Sequence, residues 1–201
     1  RSRKTHETRG MIVVVCRSNR NYKRQTVMEE DMTEIWDIYD RYGNRTGRTM
    51  KRGIPKEGDY MLCVHIYLLA FDNRFLIQKR SKNKESHPGE WDITGGAAIS
   101  GESSVDAILR ETEEEVGIKL DEKDLYYAGR FVKERRIIEI FFAKKDFELS
   151  DCHVQKEEVD KVAFVSYDEL VGDILMKRGR SREYVELVSK AAMEFLHGEN
   201  S

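Results

Sequence analysis

The sequence predicts an α/β domain in which a mainly β centre is layered with helices, and three observations carry that expectation. Apolar runs of strand length recur between residues 34 and 165, helical composition interrupts them over 102–116, and a three-four apolar repeat returns near the carboxyl end. Strands flanking one early helix, with more helix at the end, fit an α+β or α/β/α layered arrangement. At 201 residues the chain has room for one domain with appendages and not for two full domains.

In chain order, EIWDIYDRYGNRTG (34–47) leads β-branched and aromatic residues into a Tyr-Gly-Asn turn, the pattern of a β-hairpin. The turn cluster GIPKEG (53–58) opens onto YMLCVHIYLLAF (60–71), a long strand. Asp72-Asn73-Arg74 then joins that strand to a second one over 75–79. A polar loop (80–89) precedes a short strand over 90–94 that ends in Gly95-Gly96. Residues 102–116 (ESSVDAILRETEEEV) read as a helix, stopped at Gly117, where a left-handed residue commonly closes a helix. Strands are expected over 125–132, 136–143 and 159–165. Tyr184, Leu187, Val188, Ala191 and Phe195, spaced by threes and fours, predict a final helix closed by Gly198.

Composition excludes several classes. Hydrophobic residues make up 39% and charged residues 36%, too apolar for a disordered chain, and Gly and Pro are too ordinary for a fibrous one. The longest apolar stretch, 60–71, has 12 residues including His65, against about 20 for a membrane span. No amino-terminal hydrophobic segment with a small-residue cleavage site is evident. Cys16, Cys63 and Cys152 are scattered, with no CxxC pair. That argues against a disulfide framework or zinc site and fits a reducing, cytoplasmic setting.

Net charge is near zero but unevenly distributed. Residues 1–27 hold eight basic side chains and one acidic one, a net of +7, which leaves −9 for 28–201. We read 1–27 as a basic extension, non-native or poorly ordered, ahead of a domain spanning 28–201. Basic arms bind nucleic acid or acidic surfaces. This one lacks interleaved aromatics and any helical or zinc motif, which speaks against nucleic acid, and one run, MIVVVC (11–16), has strand character.

The chemistry concentrates in GAAISGESSVDAILRETEEEVGI (96–118). Glu111, Glu113, Glu114 and Glu115 place four carboxylates in five positions, and on a helix Glu111, Glu114 and Glu115 share a face. Like charges at that spacing cost about 0.2–0.5 kcal/mol per pair. Their place in the last turn, at the negative end of the helix dipole, adds about 0.3–1 kcal/mol each. A cation on that face reverses both penalties. Hard carboxylate oxygens without cysteine or histidine select Mg²⁺ or Mn²⁺, ions that keep several waters and complete their shell with phosphate oxygens. Arg110 stands beside the cluster, where a guanidinium can hold a carboxylate by paired hydrogen bonds.

Gly96, Glu102, Arg110, Glu111, Glu114, Glu115 and Gly117 stand at the spacing of the Nudix box. Seven fixed positions at about 10% each, over the available starts, give a chance expectation on the order of 10⁻⁵. The segment resembles the signature of the Nudix (MutT-like) hydrolases, and FLIQKRSKN followed by PGEWDITGG resembles their strand–loop–strand lead-in. The resemblance covers about 34–170, and EIWDIYDRYGNRTG is similar to the branch related to isopentenyl diphosphate isomerase.

Membership implies an α/β/α sandwich around a mixed sheet, here with an additional C-terminal helix. It implies metal-dependent hydrolysis of a small-molecule diphosphate, a nucleoside diphosphate linked to another moiety, by water attack on phosphorus. By position, Glu114 and Glu115 are metal ligands, the Gly96 carbonyl a further one, and Glu111 a ligand or the water-activating base. Arg110 and Glu102 organise the loop and helix, and Gly117 closes it. Thr112 stands where the family usually has an aliphatic residue. Some members draw the base from outside the box, which makes Glu157 and Glu158 candidates. Arg80 is a candidate phosphate contact. His65 and Trp91 read as sheet or core residues, and His87-Pro88-Gly89 as a turn.

Two other functions stay open. An isomerase of isoprenoid diphosphates uses a cysteine near the loop opening the box, and DITGGAAIS (92–100) has none, with Cys63 upstream. A non-catalytic nucleotide sensor predicts eroded acidic ligands, and none is eroded here. Substrate contacts are expected from the loops 80–89 and 147–158. The substrate and the oligomeric state are not legible in the sequence.

Overall fold

A computed structural model describes residues 33–84 and 86–198. The basic extension 1–27, its MIVVVC run and the domain start at Met28 lie outside the described residues. The predicted hairpin forms: β1 (Ile35–Tyr39) pairs antiparallel with β2 (Arg45–Lys51) as a separate two-stranded sheet. It meets the main sheet through a bridge between Tyr39 and Tyr60.

The main sheet is built around β3 (Met61–Leu69), which pairs in parallel with β8 (Arg136–Lys144) along its whole length. Both are near-continuous apolar runs, as expected of strands covered on both faces. Val64, Ile66 and Leu68 join Ile137 and Phe141 under α1 (Ser104–Val116), through Ala107, Ile108 and Val116. The alternate residues Tyr67, Leu69, Ile140 and Phe142 face Leu170, Tyr184 and Val188 on the other side. The last two belong to the end of the chain, where α3 (Arg182–Gly198) forms as its apolar spacing predicts. Sheet and two helical layers give the α/β/α sandwich with its extra C-terminal helix. β7 (Leu125–Lys133) pairs antiparallel with β8 at the far edge.

The other flank divides. β4 (Phe75–Arg80) touches β3 at Leu69 and Phe75, then pairs with β9 (Val159–Val165) and with β5 (Trp91–Asp92). The sequence predicts one strand over 90–94 ending at the glycine pair. The chain instead crosses at Ile93 from β5 into β6 (Thr94–Ala97), which pairs with Cys63 to Ile66 of β3 and contains both glycines. The reason is steric: a Cβ on Gly95 would lie 2.2 Å from the Val64 carbonyl oxygen, so only glycine lets the two backbones approach this closely.

Helix α1 opens with a capping box, Ser103 against Asp106, and closes on Gly117 at φ 75°. A helical segment that periodicity did not reveal, α2 (Tyr167–Glu169), runs on into a π-helical turn over Leu170–Leu175. Its signal was present as Ser166 and Glu169, a second capping box. No helix among the described residues is long and apolar enough to cross a membrane.

Gly117 also abuts the loop before β9, where a Cβ would lie 2.7 Å from the His153 backbone nitrogen. Gly117→Ala should therefore destabilise by about 2 kcal/mol or more, left-handed strain alone costing about 1–2 kcal/mol. Urea unfolding checks this, and a loss near zero would show that the helix end relaxes freely.

Candidate active site

The site lies where β6, the loop after it and α1 meet. Arg110 reaches back from the helix and grips Glu102 with two nitrogens, Nε to Oε1 at 2.7 Å and Nη2 to Oε2 at 3.0 Å. Nη2 also donates to the Ala97 carbonyl at 3.2 Å, and Nη1 donates to Glu111 and Glu114 at 3.0 Å each. Glu102 in turn accepts the Ile99 N–H at 2.9 Å. The bond to Glu102, helped by the charge of Glu111 and the bond to Glu114, outweighs burial and raises the pKa of Arg110 further.

The hairpin β1–β2 secures the same loop. Asp37 accepts the Ser100 hydroxyl at 2.6 Å and the Gly101 N–H at 3.0 Å. Arg45 pairs with Asp37 at 3.3 Å and donates to the Glu102 carbonyl.

Glu115 points the other way, into the protein, and is 4% exposed. Its Oε2 accepts Gln78 Nε2 at 2.7 Å and the Gly95 N–H at 3.3 Å. Burial, with the neighbouring charge of Glu111, pushes its pKa up to about 7 despite those donors. Glu111 lies against Gly96, where a Cβ would fall 2.2 Å from its Oε1, so the glycine makes the space the carboxylate fills. Thr112 is fully buried, its hydroxyl donating to the Ile108 carbonyl at 2.6 Å.

Among the described residues no three carboxylate, imidazole or thiol groups stand gathered as a metal cage. Arg110 lies among Glu102, Glu111 and Glu114, and Glu115 turns to Gln78 and Gly95. The donor chemistry nonetheless fits a hard divalent cation. The oxygens belong to carboxylates, one of them buried beside a like charge, and the Gln78 Oε1 next to it is buried without a hydrogen-bond partner.

Outside the box, Glu158 pairs with Lys84, whose pKa is lowered by burial and the charge of Arg80 although the charges of Glu115 and Glu111 act to raise it. That brings Glu158 to the edge of the acidic cluster, already engaged by a cation. Glu157 lines a shallow depression with Glu158, Lys84 and Arg52. Arg80 donates to Ser86 at 3.1 and 3.2 Å, and its charge is felt at Glu115.

A cleft of about 440 Å³ opens beside Gly95 and Gly96 and is lined by five cationic side chains, Arg80, Lys133, Arg136, Arg178 and Arg180. The sequence pointed to the first of these alone. The loop over 147–158 does not line this cleft. It covers the end of α1 instead, His153 and Gln155 donating N–H groups to the carbonyls of Val116 and Glu115 at 2.9 and 3.4 Å. Its place in the cleft wall is taken by the β7–β8 turn and by residues 178–181.

Asp92 anchors that wall. It is 5% exposed and accepts Arg178 at 3.0 and 2.7 Å and Arg180 at 3.0 Å. Burial alone would raise its pKa, but Arg180 and Arg178 hold it below the usual carboxylate range. His65, as expected, is a hydrogen-bonded sheet residue: Nδ1 lies 2.8 Å from the Tyr184 hydroxyl, itself 2.9 Å from that of Tyr67. Burial, then the charge of Arg180, lowers the His65 pKa to about 3. His87 and Gly89 take the positive φ values, 52° and 72°, of a tight turn, and Trp91 packs on the core.

A glycine-opened loop and helix carrying these carboxylates, set on a mixed sheet, form the arrangement that the Nudix resemblance implies. The chain matches the NUDIX domain over residues 59–188 and belongs to that family. It is 37% identical over 139 residues to an uncharacterized Nudix hydrolase of Listeria monocytogenes, covering 68% of this chain and 82% of that protein. It is 32% identical over 151 residues to Nudix hydrolase 3 of Arabidopsis thaliana, covering 68% of this chain but 20% of the much longer plant protein. The crystal structure of DR0079 from Deinococcus radiodurans shares the fold. Its TM-score is 0.62 at 19% identity, over 79% of this chain and 99% of that one.

Asp92→Asn removes a buried carboxylate from two half-buried guanidiniums and should cost about 3–5 kcal/mol at pH 7. Because the folded pKa is depressed, the Asp92 contribution is complete above the unfolded value of 3.8 and is lost as pH falls through the folded one. Urea unfolding of both proteins should show the deficit shrinking below about pH 4. A deficit that is constant with pH would separate it from this carboxylate's charge.

Proposed function

We propose that the chain hydrolyses a diphosphate linkage in a nucleoside diphosphate joined to another moiety, with Mg²⁺ or Mn²⁺, by water attack on phosphorus. The observation that carries this reading is Glu115, a buried carboxylate beside Glu111, placed at the glycine pair where the acidic helix meets the cationic cleft. Left without a cation, this arrangement costs free energy.

In this reading Glu111, Glu114, Glu115 and the Gly96 carbonyl hold the metal. When bound, the ion supplies charge neutralisation at the phosphate oxygens and a lowered pKa for attacking water. Arg110 and Glu102 fix the loop against the helix. Glu111, or Glu158 from beside Lys84, takes the proton of the attacking water. Arg80, at the cleft edge, holds a phosphate oxygen. Three scattered cysteines support a reducing, cytoplasmic setting, and the basic 1–27 segment is an appendage to the catalytic domain.

The isomerase reading would need a reactive thiol in the cleft. Cys63 lies in its wall, but burial pushes its pKa up to about 12, which leaves a neutral thiol at physiological pH. Incubation with isopentenyl diphosphate and Mg²⁺ should yield no isomer, and its appearance by NMR would reverse this choice.

A panel of nucleoside-diphosphate-linked compounds, assayed with Mg²⁺ and Mn²⁺ for nucleotide or phosphate release, tests the activity itself. Glu115→Gln should keep the fold, since an amide replaces a poorly solvated charge, while turnover falls by about 10²-fold or more. It should also lose the rise in Tm that Mg²⁺ gives the unaltered protein. Near-full activity in this variant would remove Glu115 from the metal set.

A further inference from the structure

The wall of the cleft away from the acidic helix carries more positive charge than its own carboxylates neutralise. Arg178 and Arg180 share Asp92, and Arg178 donates further to Glu90 at 3.0 Å. Arg180 gives Asp92 a single nitrogen, Nη2, while its Nε is buried with no hydrogen-bond partner. The same guanidinium lies over the Tyr184 ring, 5.2 Å from its centroid, which fixes its plane. A buried cationic N–H without an acceptor is costly, and an anionic oxygen arriving from the cleft would satisfy it.

Arg136 stands on the same stretch of wall. Among the described residues its side chain enters no hydrogen bond or ion pair. Arg136 and Arg180 line the cleft together with Cys63 and His65. The two guanidiniums therefore face one region, and besides Asp92, already shared, Glu134 is the acid lining the cleft.

Strand geometry separates this region from the carboxylates of α1. Gly96 stands opposite Val64, Val64 opposite Glu139, and Arg136 three residues earlier on β8. With strands about 4.8 Å apart and a rise of about 3.3 Å per residue, the Cα atoms of Gly96 and Arg136 are about 14 Å apart. Even an Arg136 side chain extended toward Gly96 ends several ångströms short of it, farther than the two phosphorus atoms of one diphosphate lie from each other.

We infer that Arg136 and Arg180 form an anion subsite separate from the acidic cluster, and that the substrate is a diphosphate whose flanking group carries an additional phosphomonoester. The subsite stands on the geometry of the wall, whereas the substrate class rests on the hydrolase reading above. Arg136 and Arg180 act here as specificity residues that hold the distal phosphate and leave water activation to the box.

Two measurements test this. Calorimetry with inorganic triphosphate in the presence of a chelator should show binding to the unaltered protein, weakened at least tenfold in Arg136→Ala and in Arg180→Lys. Arg136→Ala loses no hydrogen-bond or ion-pair partner among the described residues, so its Tm should be unchanged and its loss of affinity attributable to the anion. No binding by the unaltered protein, or equal affinity in Arg136→Ala, overturns the subsite.

The second measurement compares kcat/KM for matched pairs that differ by one phosphate: coenzyme A with its 3′-dephospho form, NADPH with NADH, and 2′-phospho-ADP-ribose with ADP-ribose. The phosphate-bearing member of any pair cleaved should be favoured at least tenfold, and Arg136→Ala should erase that preference through KM. Cleavage without preference overturns the substrate class and leaves the hydrolase standing. Triphosphate binding with no cleavage of any diphosphate overturns the hydrolase reading, and the substrate class with it, while the subsite stands.

Discussion

One guanidinium sets the geometry on which the site depends. Arg110 ties a helix to the loop that precedes it and to the strand before that, through Glu102, the Ala97 carbonyl, Glu111 and Glu114. A paired arginine–carboxylate contact fixes orientation as well as distance, so the loop cannot slide along the helix without breaking several charge-assisted bonds together. The hairpin of β1 and β2 adds a second hold from the other side, Asp37 accepting from Ser100 and Gly101. The lead-in to the domain therefore does structural work at the site, which its separation in sequence conceals.

With the loop fixed, the sheet decides what faces the carboxylates. β4 leaves β3 after one paired position and β6 takes its place, so the sheet parts where the glycines lie. Gly95 permits the close ladder against Val64, and Gly96 leaves the space into which Glu111 fits. The cleft occupies the same region, and Asp92 at the end of β5 draws in two arginines from the segment just before α3. Residues 90 to 97 thus contribute to both halves of the site: one carboxylate that anchors cations, and two glycines that admit an anion.

What the sequence made legible follows the range of the interactions involved. Helix α1, its cap at Gly117 and its acidic face are local, set by residues three and four apart, and they formed as read. So did the central strands, whose continuous apolar character needs two covering layers. The split of the 90–94 strand was not legible, because it depends on Val64, about thirty residues away. The cationic wall was hidden for the same reason: Lys133, Arg136, Arg178 and Arg180 look like ordinary surface charges until a parallel pairing and an end helix bring them together. That two N–H groups of the loop over 147–158 complete the end of α1 is likewise a long-range contact that its polar composition does not reveal. The basic extension lies outside the described residues, so its reading stays an expectation.

The two charged halves also bear on why neither was removed in favour of stability. Glu115 is buried against a like charge at the end of a helix, and half-buried Arg180 has a buried Nε with no acceptor. Replacing Glu115 by an apolar group of similar volume would remove a poorly solvated charge, whereas Arg180 also holds Asp92, so its removal would leave that buried carboxylate short of a partner. Arg180 lines the cleft with His65, held neutral by burial, and Glu115 is bonded to Gly95 at its edge. Bringing the two charges together directly would neutralise both and close the space. Keeping them apart leaves Glu115 beside a like charge and the Arg180 Nε without an acceptor, and on the proposed reading an anionic substrate accompanied by a dication would meet both. On the proposed reading, a bound cation and anion would offset the cost of burying these groups.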